Sequence, residues 1–312
     1  MTFEIGIAWF NGIVLLLIAV IPIVTLFVTR RPEWGDVRSH KYSLKARLPF
    51  GSEVVAQSIR RHLRFVIRTR MWVFIALLIA IAAVYIVVPV RSSPIFLWAF
   101  TFSLLAVGMP AASVFSSLRE RLFAPAPTAP RIARTRGLVA ADYLGPLRRL
   151  TPNVLLIAAT IAVGALFAVS LLTGYRFDTA TVIVCGGMLL VALIAAVADR
   201  LRERLVLARP QPASNTVELA WDDSFRSDTL GWLRLGAATT AVIPLGLAGA
   251  ALLVAVLTPA EPEFITALEL FPWWAAIALQ LSYQFGEGHM PKALYPAQLG
   301  PRPRLTVAEA FA

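Results

Sequence analysis

Apolar runs of about twenty residues recur along this chain, each bounded by a segment rich in arginine. A helix rises 1.5 Å per residue, so such a run crosses a hydrocarbon layer roughly 30 Å thick. Six runs have that length: Ala8 to Val28, Met71 to Val90, Ile95 to Ser117, Val154 to Leu172, Ala180 to Ala198 and Leu235 to Leu257. A seventh, Phe264 to Phe285, is interrupted by Glu269 and Pro272, and a re-entrant or interfacial helix competes with a full crossing there. Of 312 residues, 58% are hydrophobic and only 15% charged, more apolar surface than a soluble core can absorb. The expected fold class is therefore an all-α integral membrane protein with about seven transmembrane helices.

The first run follows Glu4 and precedes Arg30 and Arg31, the reverse of the charge order in a secretory signal, so it reads as a retained span. The net charge of +11 sits in the segments flanking spans, where it faces anionic lipid headgroups rather than nucleic acid. Of the 29 Lys and Arg, 27 fall in four alternate segments, and only Arg91 and Arg176 lie in the others. Under the positive-inside rule this puts the N-terminus outside, the C-terminus in the cytoplasm and the protein in a bacterial cytoplasmic membrane. The excess of 26 Arg over 3 Lys fits a GC-rich bacterial genome.

Leu118-Arg-Glu-Arg-Leu122 recurs as Leu201-Arg-Glu-Arg-Leu205, each copy just after an apolar run and just before a Pro-rich linker. This suggests a tandem repeat. Acids stand ahead of each hairpin, at Glu53, Asp142 and the pair Asp222 and Asp223, where they suit helix N-termini. The expected organisation is a leading span (1–29), three units of cytoplasmic helix plus hairpin (30–118, 119–205 and 206–286) and a tail (287–312). In the first unit Ser52 can cap a helix carrying Val55, Ile59 and Val66 on one face and Arg60, Arg64 and Arg68 on another. That helix reads either as interfacial and amphipathic or as a basic flank whose arginines reach headgroups. Arg119, Arg121, Arg202 and Arg204 of the repeated girdle join those three as membrane-surface residues.

Trp221-Asp-Asp-Ser-Phe-Arg-Ser-Asp-Thr-Leu230 resembles an Asp-Asp-x-Leu-Arg-type juxtamembrane motif of uncharacterised multi-pass proteins of actinobacteria, with Phe225 where those proteins have Leu. The resemblance covers about ten residues and implies no activity.

Chemistry is sparse. His40, His62 and His289 form no pair at ligand spacing, and Walker A, Gly-x-Ser-x-Gly and HExxH patterns are absent, so no catalytic, cofactor or metal residue is expected. The bland reading of His62 is a solvated interfacial side chain. Cys185, the single cysteine, reads as a small buried residue. Three residues remain as functional candidates. Glu269 could bind a cation or proton, or reach outer headgroups beside Trp273 and Trp274. Asp222 and Asp223 could bind a basic partner, or cap the helix that leads into the sixth span. Gly186, Gly187, Gly246 and Gly249 would permit close helix contact.

The best-fitting function is a non-enzymatic scaffold or accessory subunit of a membrane complex, associating with anionic lipid and with a membrane-protein partner or itself. The alternative is a transporter for a small or lipid-like solute, passing near Pro110, Pro244 and Pro272. A lipid-modifying enzyme lacks a nucleophile with a base.

Overall fold

The computed structural model describes residues 2–87, 94–120, 122–123, 137–211, 213–257, 272–282 and 294. Eight helices follow in order: α1 (Thr2–Val28), α2 (Pro32–Ala46), α3 (Glu53–Val87), α4 (Pro94–Arg119), α5 (Ala140–Tyr143), α6 (Pro146–Thr173), α7 (Thr179–Ala208) and α8 (Thr216–Leu257). A further helical stretch occupies 272–282. Five helices, α3, α4, α6, α7 and α8, are long and apolar enough to cross a membrane, and α1 contributes a shorter apolar stretch, Leu16–Val28. The described residues form a helical bundle whose five long apolar helices are consistent with an all-α membrane protein.

Five expected runs lie inside α1, α4, α6, α7 and α8, and the run from Met71 to Val90 falls in α3 up to Val87, its last three residues lying outside the described residues. The seventh falls partly outside the described residues. Two helices exceed what a crossing needs. The 35 residues of α3 extend about 52 Å and the 42 of α8 about 63 Å, so each continues unbroken from an apolar span into a polar segment.

Local sequence sets the ends. The Ser52 hydroxyl accepts the Val55 amide at the start of α3 (3.3 Å), and Asp178 accepts the Thr181 amide at the start of α7 (3.2 Å). Gly174 ends α6 at φ 71°, a left-handed geometry that glycine adopts without a Cβ clash. The 174–178 connection then returns the chain as a tight hairpin, as the short polar linker predicts. Helix α2 is not expected from the apolar pattern. Pro32 at its first turn, Glu33 beside it and Lys45 in its last turn nevertheless make a well-formed helix.

Helix α8 is central. It packs along α6, α4 and α7, while α3 lies on α4, and α1 and α2 lie on α3. No residue from Leu219 to Ala248 is exposed. The closest approach is at Gly236, where the Ala106 carbonyl and Pro110 Cγ of α4 occupy the space a Cβ would need. Small residues of this kind let helices meet in lipid, where association depends on close packing rather than on water release. Gly246 is covered in the same way, by Pro272 Cγ at 2.7 Å. Gly186, Gly187 and Gly249, by contrast, face open space among the described residues, so only one of the four expected contact glycines brings a neighbour near.

The basic ends of α3, α4, α6, α7 and α8 gather at one end of the bundle, where a separate core forms from polar segments. Tyr42, Phe50, Phe123, Trp221 and Phe225 are its largest members. Phe50 and Trp221 lie 3° from parallel with centroids 5.7 Å apart, and Tyr42 stacks on Phe225 at 4.9 Å. Burial of side chains this size contributes about 1.5–3 kcal/mol each where water is the alternative, which gives this end its own driving force.

Candidate functional site

The first half of α8 carries its charges inward. Asp222 and Arg226, one turn apart, form an ion pair at 2.9 Å with both side chains buried. The Arg226 guanidinium also donates to the backbone carbonyls of Val206 (3.3 Å), Arg209 (2.6 Å) and Pro210 (3.3 Å). These carbonyls belong to the last turn of α7 and the two residues after it, where a helix lacks internal donors and its dipole favours a cation. Arg209 does the same one helix away, donating to the Ser117 and Glu120 carbonyls at the end of α4, the latter at 2.8 Å.

Asp223 is fully buried. Its carboxylate accepts from the Tyr143 hydroxyl (3.1 Å) and from the Gln211 side-chain amide (2.7 Å), which also donates to Asp222 (3.0 Å). Burial first, and the Asp223 carboxylate second, push the Tyr143 phenol well above its ordinary range. Neither expected role for Asp222 and Asp223 is what the structure has. Helix α8 begins six residues earlier, at Thr216, where the Asn215 side chain accepts the Glu218 amide at 2.9 Å, so the two acids are interior rather than capping. Being buried, they present no surface to a basic partner.

The repeated girdle divides in an unexpected way. Sequence singles out its arginines, yet its glutamates make the inward contacts. Glu120 accepts from His62 Nδ1 of α3 at 2.9 Å, and Glu203 pairs with Arg234 of α8. Arg119 lies over the Phe115 ring, Arg202 pairs with Asp199 at 3.0 Å and Arg204 is exposed, while Arg121 lies outside the described residues. His62 is thus not a solvated side chain. It is buried and tilts against Phe225 at 4.5 Å.

The arginine row of α3 also looks inward rather than solely to lipid. Arg60 pairs with Asp36 of α2 at 2.7 Å, Arg64 donates to the Pro32 carbonyl at 2.6 Å, and Arg68 donates to the Thr29 carbonyl at 3.3 Å. The four-residue spacing puts three forks on one helix face, and they hold the start of α2 against α3. Gly35 makes this possible, because a Cβ there would stand 2.7 Å from Arg64 Nη2.

Between α2, α3, α4 and α8 lies a cavity of about 490 Å³, which Arg148 of α6 also borders. Helix α2 lines it with Arg38, Lys41, Tyr42 and Lys45, residues that fall on one face at helical spacing. Arg70 stands deeper, between Asp228 (3.6 Å), the Ser113 hydroxyl (2.8 Å) and the Trp232 ring (4.5 Å to its centroid). Met71, Met109 and Leu235 line its apolar part, and Met71 and Leu235 begin the apolar runs of α3 and α8. Burial lowers the Lys45 pKa, and the neighbouring Arg148 and Arg38 lower it further, against the opposing pull of Asp228. Burial and then Asp228 raise the Tyr42 phenol.

Glu269 lies outside the described residues. Cys185 is buried in α7, in keeping with a small packing residue. Pro110 and Pro272, expected beside a solute path, instead seat against Gly236 and Gly246. Among the described residues no group of three or more His, Cys, Asp or Glu is placed to hold a metal. Sequence reasoning missed Gln211, Tyr143 and Arg226 as the network's members, and it missed the α2 face of the cavity. The spacing of Arg38, Lys41 and Lys45 was the available signal. Compared with known protein families, curated proteins and solved structures, the chain matches none.

Proposed function

We propose that this protein is a non-enzymatic scaffold or accessory subunit of a bacterial cytoplasmic-membrane complex, with its basic end in the cytoplasm. The carrying observation is the use of charge. The five helices long enough to span, α3, α4, α6, α7 and α8, carry their Lys, Arg, Asp and Glu toward one end, where Asp222, Arg226, Asp223, Glu203 and Arg234 tie helix to helix. Ionisable groups in lipid mark ion or proton pathways, whereas groups gathered at helix ends and paired with each other hold a shape. Such a rigid end suits a platform, and one leading span followed by six more in three repeated units would complete it.

Extraction from the native membrane in mild detergent, followed by mass measurement of intact particles, tests this. A second chain at fixed stoichiometry is the expected result, and a lone monomer in every mild detergent overturns it. The cavity between α2 and α8 favours a second reading, a permease or handler for a small or lipid-like solute. In that reading Glu269 is the acid to test, and unchanged flux and pH dependence in Glu269→Gln would remove it.

A further inference from the structure

We propose that the cavity between α2, α3, α4 and α8 is a binding site for the phosphate group of an anionic amphiphile. The inference stands whether or not the chain also scaffolds a complex, and it gives the second reading its ligand class.

Charge points to the anion. Five Lys or Arg line the cavity, Arg38, Lys41, Lys45, Arg70 and Arg148, against one carboxylate, Asp228. Four of the five come from α2 and α6, and Arg38 and Lys41 are exposed while Lys45 and Arg148 are half-buried. They therefore form a wet, cationic mouth. Four like charges surround one opening, and at Lys45 burial lowers the pKa, with the Arg148 and Arg38 charges lowering it further against the pull of Asp228. A phosphate presents several acceptor oxygens and up to two negative charges, so one group can accept from several of these side chains at once.

Depth points to an amphiphile. Arg70 is held in the wall by Ser113, Asp228 and Trp232, so its guanidinium is positioned before any ligand arrives. Beyond it the surface turns apolar at Met71, Met109 and Leu235, where α3 and α8 pass into their spans. A ligand with phosphate at the mouth and carbon inside matches that gradient. A volume of about 490 Å³ falls in the range of small-molecule pockets, roughly 300–1,000 Å³, and holds a headgroup with its first carbons. The phosphate can belong to a membrane lipid or to a soluble organic phosphate, and the chemistry of the site is the same for both.

The full-length protein in nanodiscs of phosphatidylcholine, with graded phosphatidylglycerol, separates these sources by native mass spectrometry. The expected result is one phosphatidylglycerol retained per chain at 0.5 M salt, with at least tenfold weaker retention in Lys41→Gln/Lys45→Gln and no change in Arg204→Gln. Displacement of that lipid by glycerol 3-phosphate, or saturable glycerol 3-phosphate binding lost in the same double variant, would identify a soluble organic phosphate, supporting the phosphate site and overturning its amphiphile half. Lys41 is exposed and Lys45 half-buried, so the double variant should fold, and its circular dichroism and melting curve check this. Should it misfold, Arg38→Gln, at an exposed position, serves instead. Equal loss in Arg204→Gln and the cavity variants, or binding of neither phosphate compound by the wild type, overturns the proposal.

Discussion

Asp222 and Arg226 lie 2.9 Å apart on consecutive turns of α8, and only Asp222 of the two gains a further donor from Gln211. Removing one member of a buried pair strands the other, at about 3–5 kcal/mol. Asp222→Ala and Arg226→Ala should each lower the thermal midpoint in detergent, Arg226→Ala by more, because it also strands carbonyls of Val206, Arg209 and Pro210. Equal and small losses would mean that the pair is solvated.

The girdle offers a sharper contrast. Glu203→Ala removes one carboxylate partner of the buried Arg234 and should cost about 1–3 kcal/mol. Arg204→Ala, at the next residue but an exposed position, should stay within about 0.5 kcal/mol. Unfolding followed by tryptophan fluorescence distinguishes the two. If Arg204 proves the costlier loss, the girdle's arginines rather than its glutamates hold the bundle.

Gly236 lies where α4 and α8 come closest, against the Ala106 carbonyl and Pro110. A side chain there must push backbone, so Gly236→Val should destabilise by about 1–3 kcal/mol or more. Gly187→Val, with open space around it among the described residues, should not. Paired melting curves provide the measurement, and equal effects would place the close approach elsewhere.

Tyr143 sets a pH dependence. Its phenol is held above the ordinary value by burial and then by Asp223, so in the folded state it stays neutral where the unfolded chain ionises. The stability it contributes is therefore fully present below about pH 10 and declines as pH rises beyond that. Tyr143→Phe removes a donor from a buried carboxylate, at about 1.5–3 kcal/mol. The wild-type advantage over this variant should be constant near pH 8 and narrow near about pH 11. An advantage that widened with pH would reverse the assigned sign.

Much of the fold is legible in the chain itself. Apolar runs as long as a bilayer is thick can hardly form anything but spanning helices, since lipid offers backbone groups no partners. The helix start signalled by Ser52 is local chemistry and falls where the residue type indicates, and the structure adds Asp178 and Gly174 as ends of the same local kind. The candidate site was less legible. Asp222 and Asp223 look like caps because acids are common in first turns, but α8 starts earlier, at Asn215 and Thr216, and buries them. The Arg60, Arg64 and Arg68 row is visible as a spacing, yet nothing in a spacing says whether a guanidinium meets lipid phosphate or the Pro32 carbonyl.

What the sequence determined alone was therefore the membrane-embedded helical class, the positions of six apolar runs and the gathering of basic residues between them. Those follow from hydropathy, local capping and length, which act within one stretch of chain. Only the tertiary structure decided that Glu120 and Glu203 face inward, that Arg226 and Arg209 close the ends of other helices, and that α2 turns three cations toward a cavity. Each of these depends on which distant carbonyl or carboxylate is within 3–4 Å, and that distance is set by how helices pack, not by the order of residues along them.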